Sequence, residues 1–282
     1  TGSMGGVLAA IRDQLLQLMT AIRAGTPDSR FGVAHYEDFA PQGLNTDRPY
    51  HLAQALTGDT AAVRTAFGKL LDRFGNPVGH GGDTQESSIE ALYQLATGEG
   101  YNDGNPGRLV PPGDMGWRKD SVKMAILVTD AVFRDPDDGD AAPAAAHGES
   151  QARAALNAKG IHVMGCAAII FPEEPLPTPE MQAIANATGA ISTSGIDGNG
   201  DGLFNAYGEI KPGGPLVFLV DGDGRMMGVG TKNIADAILL SLKDFIKPSL
   251  ISLRFSGKVE SALRLEADPP WIADVLPGQT VC

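Results

Sequence analysis

The chain has little of several residue types, and each shortage limits what the protein can be. Only Cys166 and Cys282 are cysteines among 282 residues, so cysteine usage does not tell an oxidising from a reducing compartment. Cys166 lies in the apolar run HVMGCAAII, which predicts a buried thiol. No stretch of about 18 apolar residues occurs. The sequence therefore predicts no membrane-spanning helix.

Basic residues are also scarce. The chain has 22 Lys and Arg against 34 Asp and Glu, which gives a formal net charge of -12. This balance argues against nucleic acid or an anionic membrane as the main partner, since both require basic patches. It is compatible with the binding of metal cations.

Familiar catalytic signatures are missing as well. The sequence contains no Gly-x-Ser-x-Gly, no HExxH and no phosphate-binding glycine loop. Its five histidines are scattered along the chain, so their spacing predicts no zinc site.

Helical and strand patterns alternate along most of the chain. Apolar residues at 8, 11, 15, 18 and 22 predict a helix with one buried face. KMAILVT and HVMGCAAII are apolar on both faces, as central parallel strands are. We expect an α/β fold over residues 1–247, with a Rossmann-like, mostly parallel sheet and helices on both faces. The short alternating segments of 248–282 predict the beginning of a separate β-sandwich-like domain.

Three loops that follow expected strand ends carry oxygen ligands. Since the carboxyl ends of parallel strands form one edge of a sheet, we expect these loops to meet there. Hydroxyl and carboxylate oxygens suit a hard divalent cation, and neutral hydroxyls leave the ion able to accept a partner's carboxylate. The loops contain Thr1 and Ser3; Asp83, Thr84 and Glu86; and Asp130.

Four segments together resemble a von Willebrand factor type A domain, and in particular the I-like domain of integrin β subunits. They are TGSM, RFGVAHYEDF, GGDTQESSIEALYQLATG and GWRKDSVKMAILVTDAVF. The adhesion site of that family opens with Asp-x-Ser/Thr-x-Ser, and Thr1 and Ser3 match its two hydroxyl positions. We expect the matching Asp, and the strand that carries it, to precede Thr1. Glu86 and Asp130 match the other two site positions, with Thr84 as the competitor of Glu86.

The resemblance also implies a neighbouring Ca²⁺ site. Asp38 and Asp83 match two of its carboxylates, whereas Gly81 and Gln85 stand where an Asn and a Pro are expected. The acidic pair of the integrin's third ion site falls on positions 6 and 7, which are Gly and Val. We therefore expect no third site.

The function implied by the resemblance is a metal-ion-dependent adhesion or protein-binding module without catalytic activity. It would bind Mg²⁺ (or Mn²⁺), with Ca²⁺ at further sites, and capture a protein ligand that presents an acidic residue. It would be secreted or displayed at a cell surface. A simpler interpretation stays open: Thr1 and Ser3 cap the first helix, Asp83 and Glu86 favour the positive end of another helix, and Asp130 is a turn residue.

A second candidate is the segment DGNGDG. Asp197, Asn199 and Asp201 occupy positions one, three and five of an EF-hand-like calcium loop, with Gly202 at position six. Position twelve is Gly208, although Glu209 is adjacent. A polar turn is the alternative.

An enzymatic alternative concerns FLVDGDGR. A strand that ends in Asp-x-Asp resembles the nucleophile motif of haloacid-dehalogenase-like phosphotransferases, with Asp221 as nucleophile and Asp223 as acid. Arg225 stands where that motif requires a hydroxyl. The remaining alternative is an interaction scaffold that binds no metal.

Overall fold

The computed structural model describes residues 2–79, 81–171, 173–206 and 208–246. The predicted boundary at 247/248 and the β-rich region 248–282 lie outside the described residues. The helices are α1 (Gly5–Gly25), α2 (Thr60–Gly68), α3 (Ser88–Thr97), α4 (Glu149–Lys159), α5 (Thr178–Ala187) and α6 (Ile234–Ile246). The strands are β1 (Phe31–His35), β2 (His51–Thr57), β3 (Gln85–Glu86), β4 (Lys123–Thr129), β5 (Val132–Phe133), β6 (Ile161–Ile169) and β7 (Val217–Asp221).

A parallel sheet of order β4-β6-β7 lies at the centre of the fold. On one face of β6, Met164 and Cys166 pack in the same core as α1 and α6. On the other face, Val163 and Ala167 pack with α3 and α4. Because both faces are covered, the strand is apolar along its whole length. The predicted α/β class, with helices on both faces of a parallel sheet, is confirmed.

The position of β4 differs from the sequence prediction. KMAILVT reads as a central strand, but in the described structure β6 is central and β4 lies at one edge of the three-stranded sheet. Ile126, in the middle of β4, is 38% exposed. The strand is apolar on both faces, yet only one of its backbone edges pairs with another named strand.

An antiparallel pair, β1-β2, forms a separate small sheet. The sequence did not predict β2, because most of HLAQALT is only half-buried and its apolar residues do not alternate clearly. The helix after it begins at Thr60, and the residue that caps it is Asp59, whose side chain accepts hydrogen bonds from the backbone amides of Ala61 and Ala62.

A cavity of about 350 Å³ lies between the two sheets. Its lining comes mainly from α1, β1 and β4, and includes Ile11, Val33 and Leu127. Within the described ranges, β1 and β4 pair with no strand on the sides that face this cavity. Unpaired strand edges of this kind pair readily with another extended segment.

Phe218 provides a test of the packing in the central sheet. Its side chain is fully buried, so Phe218→Ala should lower the free energy of unfolding by about 3–5 kcal/mol through lost burial and a residual cavity. The matched variant Phe171→Ala removes a ring that is 50% exposed and should cost less than about 0.5 kcal/mol. Urea unfolding of both variants measures the difference. Equal losses would contradict the described core.

Candidate metal-binding site

Ser3 joins the beginning of the described chain to the end of β4. It lies in a 3-10 turn, Gly2–Met4, directly before α1. Met4 occupies the N-cap position of α1, which has no side-chain capping hydrogen bond. The hydroxyl of Ser3 instead donates to Oδ2 of Asp130, 127 residues away in the sequence. The interpretation of Ser3 as a simple helix cap is therefore wrong.

Glu86 is held beside Asp130 by a short parallel pairing. Strand β3 pairs with β5, and the backbone amide of Arg134 donates to the carbonyl of Glu86 at 2.8 Å. Gly81 has a positive φ of 69°, and a β-carbon at that position would collide with the Glu86 carboxylate. The glycine that departs from the integrin pattern thus lets its loop close over Glu86.

The Glu86 carboxyl is in an unusual environment. It is 1% exposed, and burial raises its pKa to about 8, with further contributions from the charges of Asp38, Asp47 and Asp130. Its Oε2 has no hydrogen-bond donor among the described residues. A cation would satisfy this oxygen and favour the ionised form. The competing candidate, Thr84, is exposed.

Tyr36 is a neighbour of this site that sequence reasoning missed. Its hydroxyl accepts a hydrogen bond of 3.0 Å from the Ser88 hydroxyl. Burial raises the pKa of Tyr36, a hydrogen bond with Thr129 opposes that rise, and the charges of Glu86 and Asp130 add to it. Tyr36 directly follows β1, and its alternation with His35 is the one signal in the sequence that assigns it to the opposite face.

Asp38 and Asp83, the predicted Ca²⁺ ligands, come together around the side chain of Arg134. Nε and one terminal nitrogen of Arg134 bind the two oxygens of Asp38 at 2.9 and 2.7 Å. The same terminal nitrogen lies 2.7 Å from the carboxylate of Asp83. Burial raises the pKa of Asp38, and the guanidinium opposes that rise. In the described structure, the cation between these two carboxylates is an arginine.

The positions of the third integrin ion site carry no acid. Gly6 packs against the backbone carbonyl of Gly222, so closely that a β-carbon there would collide with it. Val7 is fully buried in the core. Thr1 lies outside the described residues, so its role as a ligand stays a prediction.

The DGNGDG segment forms a compact acidic loop. The carboxylates of Asp197, Asp201 and Glu209 offer oxygens within 4.8 Å of one another. Backbone amides of Gly202 and Gly200 donate to Asp197 and lower its pKa. Asn199 uses its side-chain oxygen to accept the Asp201 amide at 2.8 Å. The loop brings Glu209 to the predicted residues, and the calcium site there stays a prediction.

Asp221 organises a tight turn at the end of β7. Its Oδ1 accepts the backbone amides of Asp223 and Arg225 at 3.0 and 2.8 Å. The Arg225 side chain donates to Asp223 at 2.8 Å. Both carboxylates of the proposed phosphotransferase pair therefore have partners within the turn itself.

Two of the histidines are close together, contrary to the sequence prediction. His35 and His51 face each other across the β1-β2 ladder, and their rings stack with centroids 4.5 Å apart. The carboxylate of Glu37 lies beside both rings. This cluster could not be predicted from the sequence, because the antiparallel pairing of β2 with β1 was not predicted.

Two comparisons with known proteins give no match. The chain matches no protein-family model, and no curated protein matches it. Among the described helices, none is both long and apolar enough to cross a membrane. The geometry of the sites described above is therefore the basis for assigning a function.

Glu86 should control how stability changes with pH. Its pKa in the folded chain lies above the ordinary value of 4.5, so its favourable contribution is complete below pH 4.5 and is lost as the pH rises toward about 8. Relative to Glu86→Gln, the free energy of unfolding of the unsubstituted chain should fall through this range, by at most about 1.4 kcal/mol per pH unit. Urea titrations at several pH values, with a chelator present, measure this.

The control for that experiment is Glu173→Gln, which alters an exposed carboxylate. It should leave the pH profile of the unsubstituted chain unchanged. Parallel profiles for the unsubstituted chain and Glu86→Gln would contradict the pKa assigned to Glu86.

Removal of the Arg134 side chain should be strongly destabilising. Arg134 is 2% exposed and Asp38 is fully buried, so Arg134→Met leaves a buried carboxylate without its partner. We expect a loss of about 3–5 kcal/mol in the free energy of unfolding. Arg153→Met breaks an exposed pair with Glu149 and should cost less than about 1 kcal/mol. Similar losses in calorimetric unfolding would refute the central role of Arg134.

Proposed function

We propose that this chain is a metal-ion-dependent adhesion or protein-binding module, similar to the von Willebrand factor A and integrin β I-like domains. It captures a carboxylate of a protein ligand through a divalent cation, Mg²⁺ or Mn²⁺. In this proposal it acts outside the cell or at its surface and catalyses no reaction.

The observation that carries the proposal is the hydrogen bond between Ser3 and Asp130. It joins the segment before α1 to the carboxyl end of β4, at the edge where an open α/β sheet binds its ligands. The simpler interpretation, in which Ser3 is a helix cap and Asp130 a turn residue, does not require this contact across 127 positions.

The environment of Glu86 is the second observation that supports the proposed ion site. Its buried carboxyl has an oxygen without a donor among the described residues, and Asp130 lies near enough to influence its protonation. In this proposal Ser3, Glu86 and Asp130 hold the ion, together with the predicted Thr1. When bound, the ion supplies a positive charge and a coordination position that a ligand carboxylate can fill. Binding also requires Glu86 to lose its proton, so the ion competes with that proton.

The neighbouring Ca²⁺ site takes a different form in this proposal. Arg134 provides a fixed positive charge between Asp38 and Asp83, so a second ion is not required to hold these carboxylates in place. In this proposal Ca²⁺ binds instead at the loop of Asp197, Asn199 and Asp201.

The cavity between β1 and β4 also agrees with the proposal. The resemblance expects one more strand in the middle of the sheet, ending in Asp-x just before Thr1. The cavity is lined by the unpaired sides of both strands and by α1. An extended segment seated there would reach the edge that carries Asp130.

Calorimetric titration with Mg²⁺ tests the proposal. In this proposal the 282-residue chain binds Mg²⁺ weakly through Glu86 and Asp130, and a chain extended by an apolar strand ending in Asp-x, which adds a carboxylate, should bind more tightly. The double variant Glu86→Ala and Asp130→Ala should abolish the gain. Asp201→Asn, which alters the acidic loop, should leave it intact.

Four outcomes would overturn the proposal. Equal Mg²⁺ affinity in the two chains, or affinity retained in the double variant, would place the ion elsewhere, first in the acidic loop. Release of phosphate from a simple phosphate ester, abolished by Asp221→Asn, would favour the phosphotransferase. Absence of binding in the extended chain would leave an interaction scaffold without metal.

A further inference from the structure

We infer that His35, His51 and Glu37 form a binding site for Zn²⁺ or a similar late first-row divalent ion, separate from the oxygen-ligand site around Asp130. The inference does not depend on the adhesion function, because the two sites differ in ligand chemistry and share no ligand.

The backbone places the three side chains together. His35 and His51 are paired residues of the β1-β2 ladder, so their side chains lie on the same face of this sheet. Glu37 lies two residues beyond the end of β1, where its backbone amide donates to the carbonyl of Arg48 at 3.0 Å. A β-carbon at residue 79 would collide with the Glu37 carboxylate, so Gly79 lets its loop pack over this group.

The ligand atoms are near the distances that a bound ion requires. Nδ1 of His35 lies 3.8 Å from one oxygen of Glu37, and Nε2 of His51 lies 3.6 Å from the other. One ligand atom from each residue lies within 4.8 Å of the other two. A tetrahedral zinc ion with ligands at about 2.1 Å holds them roughly 3.3–3.5 Å apart. Because the two rings are stacked in parallel, binding of one ion requires side-chain rotations that turn both rings toward a shared point.

Glu37 is also held in place as a ligand should be. The backbone amide of Arg48 donates to its Oε2 at 2.8 Å. A hydrogen bond of this kind orients a metal-binding carboxylate and is typical of protein metal sites.

The ligand set selects the type of ion. Two imidazoles and one carboxylate suit Zn²⁺, Co²⁺ or Ni²⁺, whereas Mg²⁺ and Ca²⁺ prefer oxygen. Three protein ligands leave a fourth position for water or an exogenous group. His35 and Glu37 both line the cavity between β1 and β4, so this position would open toward it.

Co²⁺ titration of the untagged 282-residue chain tests the site. It is made in a Cys282→Ser background, which removes the thiol at the end of the sequence. We expect one equivalent of Co²⁺ to produce the visible absorption of a four- or five-coordinate ion, and one equivalent of Zn²⁺ to displace it. His35→Gln, His51→Gln and Glu37→Gln should each weaken binding by at least about tenfold.

His147→Gln is the matched control. His147 contacts the buried carboxylate of Glu90 at 2.9 Å but has no second imidazole in that pair, so its loss should leave Co²⁺ affinity unchanged. Unchanged affinity in the three ligand variants, or an equal loss in His147→Gln, would overturn the inference. So would an absence of Co²⁺ binding in the unsubstituted chain.

A measurement on the folded Cys282→Ser chain covers the case in which ligand variants fail to fold. On addition of Zn²⁺, the imidazole nitrogen resonances of His35 and His51 should shift, and those of His147 and His162 should not. Equal response of all four, or of none, would refute the site. If the chain binds one equivalent of Zn²⁺ but no Mg²⁺, the zinc site is supported while the adhesion proposal fails.

Discussion

The buried guanidinium of Arg134 is the interaction on which the arrangement of the candidate site depends. It binds the carboxylates of Asp38 and Asp83, and its other terminal nitrogen binds the Gln85 side chain and the Ala141 carbonyl at 3.2 and 2.9 Å. One side chain therefore connects the segments after β1, before β3 and after β5. The backbone amide of the same residue fixes Glu86. A planar group with five donors can make all these contacts at once, which a lysine could not.

This arrangement separates the acidic residues into two groups. Asp38 and Asp83 have an internal cation and need no other. Glu86 and Asp130 lie near them, and Glu86 has no such cation among the described residues. A buried carboxylate without a compensating charge is unfavourable, so burial, with smaller contributions from the charges of nearby carboxylates, raises the pKa of Glu86. The same imbalance is what a divalent ion would relieve.

The sequence predicted those parts of the fold in which local pattern and tertiary position agree. β6 is buried on both faces, so its apolar run was unambiguous, and Ser3 and Asp130 could be paired because both follow expected strand ends. The half-buried β2 gave no periodic signal, so the pairing of His35 with His51 was not foreseen. Arg134 was missed because its partner Asp38 is 96 positions away, and no spacing rule connects them. Residues that cooperate only through long-range packing leave no local pattern to read.

The two candidate cation sites are close but chemically distinct. Ser87, the residue after Glu86, donates its hydroxyl proton to the backbone carbonyl of Glu37, so the chain links the sites directly. The Asp130 site offers only oxygen, whereas the Glu37 site offers two imidazole nitrogens as well. The type of ligand, rather than the size of the ion, therefore decides that hard ions bind at the Asp130 site and late transition ions at the Glu37 site. The sites share no ligand, but further contacts connect them. Tyr36, which precedes Glu37, accepts a hydrogen bond from Ser88, and Asp38, which follows Glu37, binds Arg134, whose backbone amide donates to the Glu86 carbonyl. Coupling between two bound ions can therefore act through these contacts as well as through the field of each ion, and a field between partly exposed groups weakens with added salt.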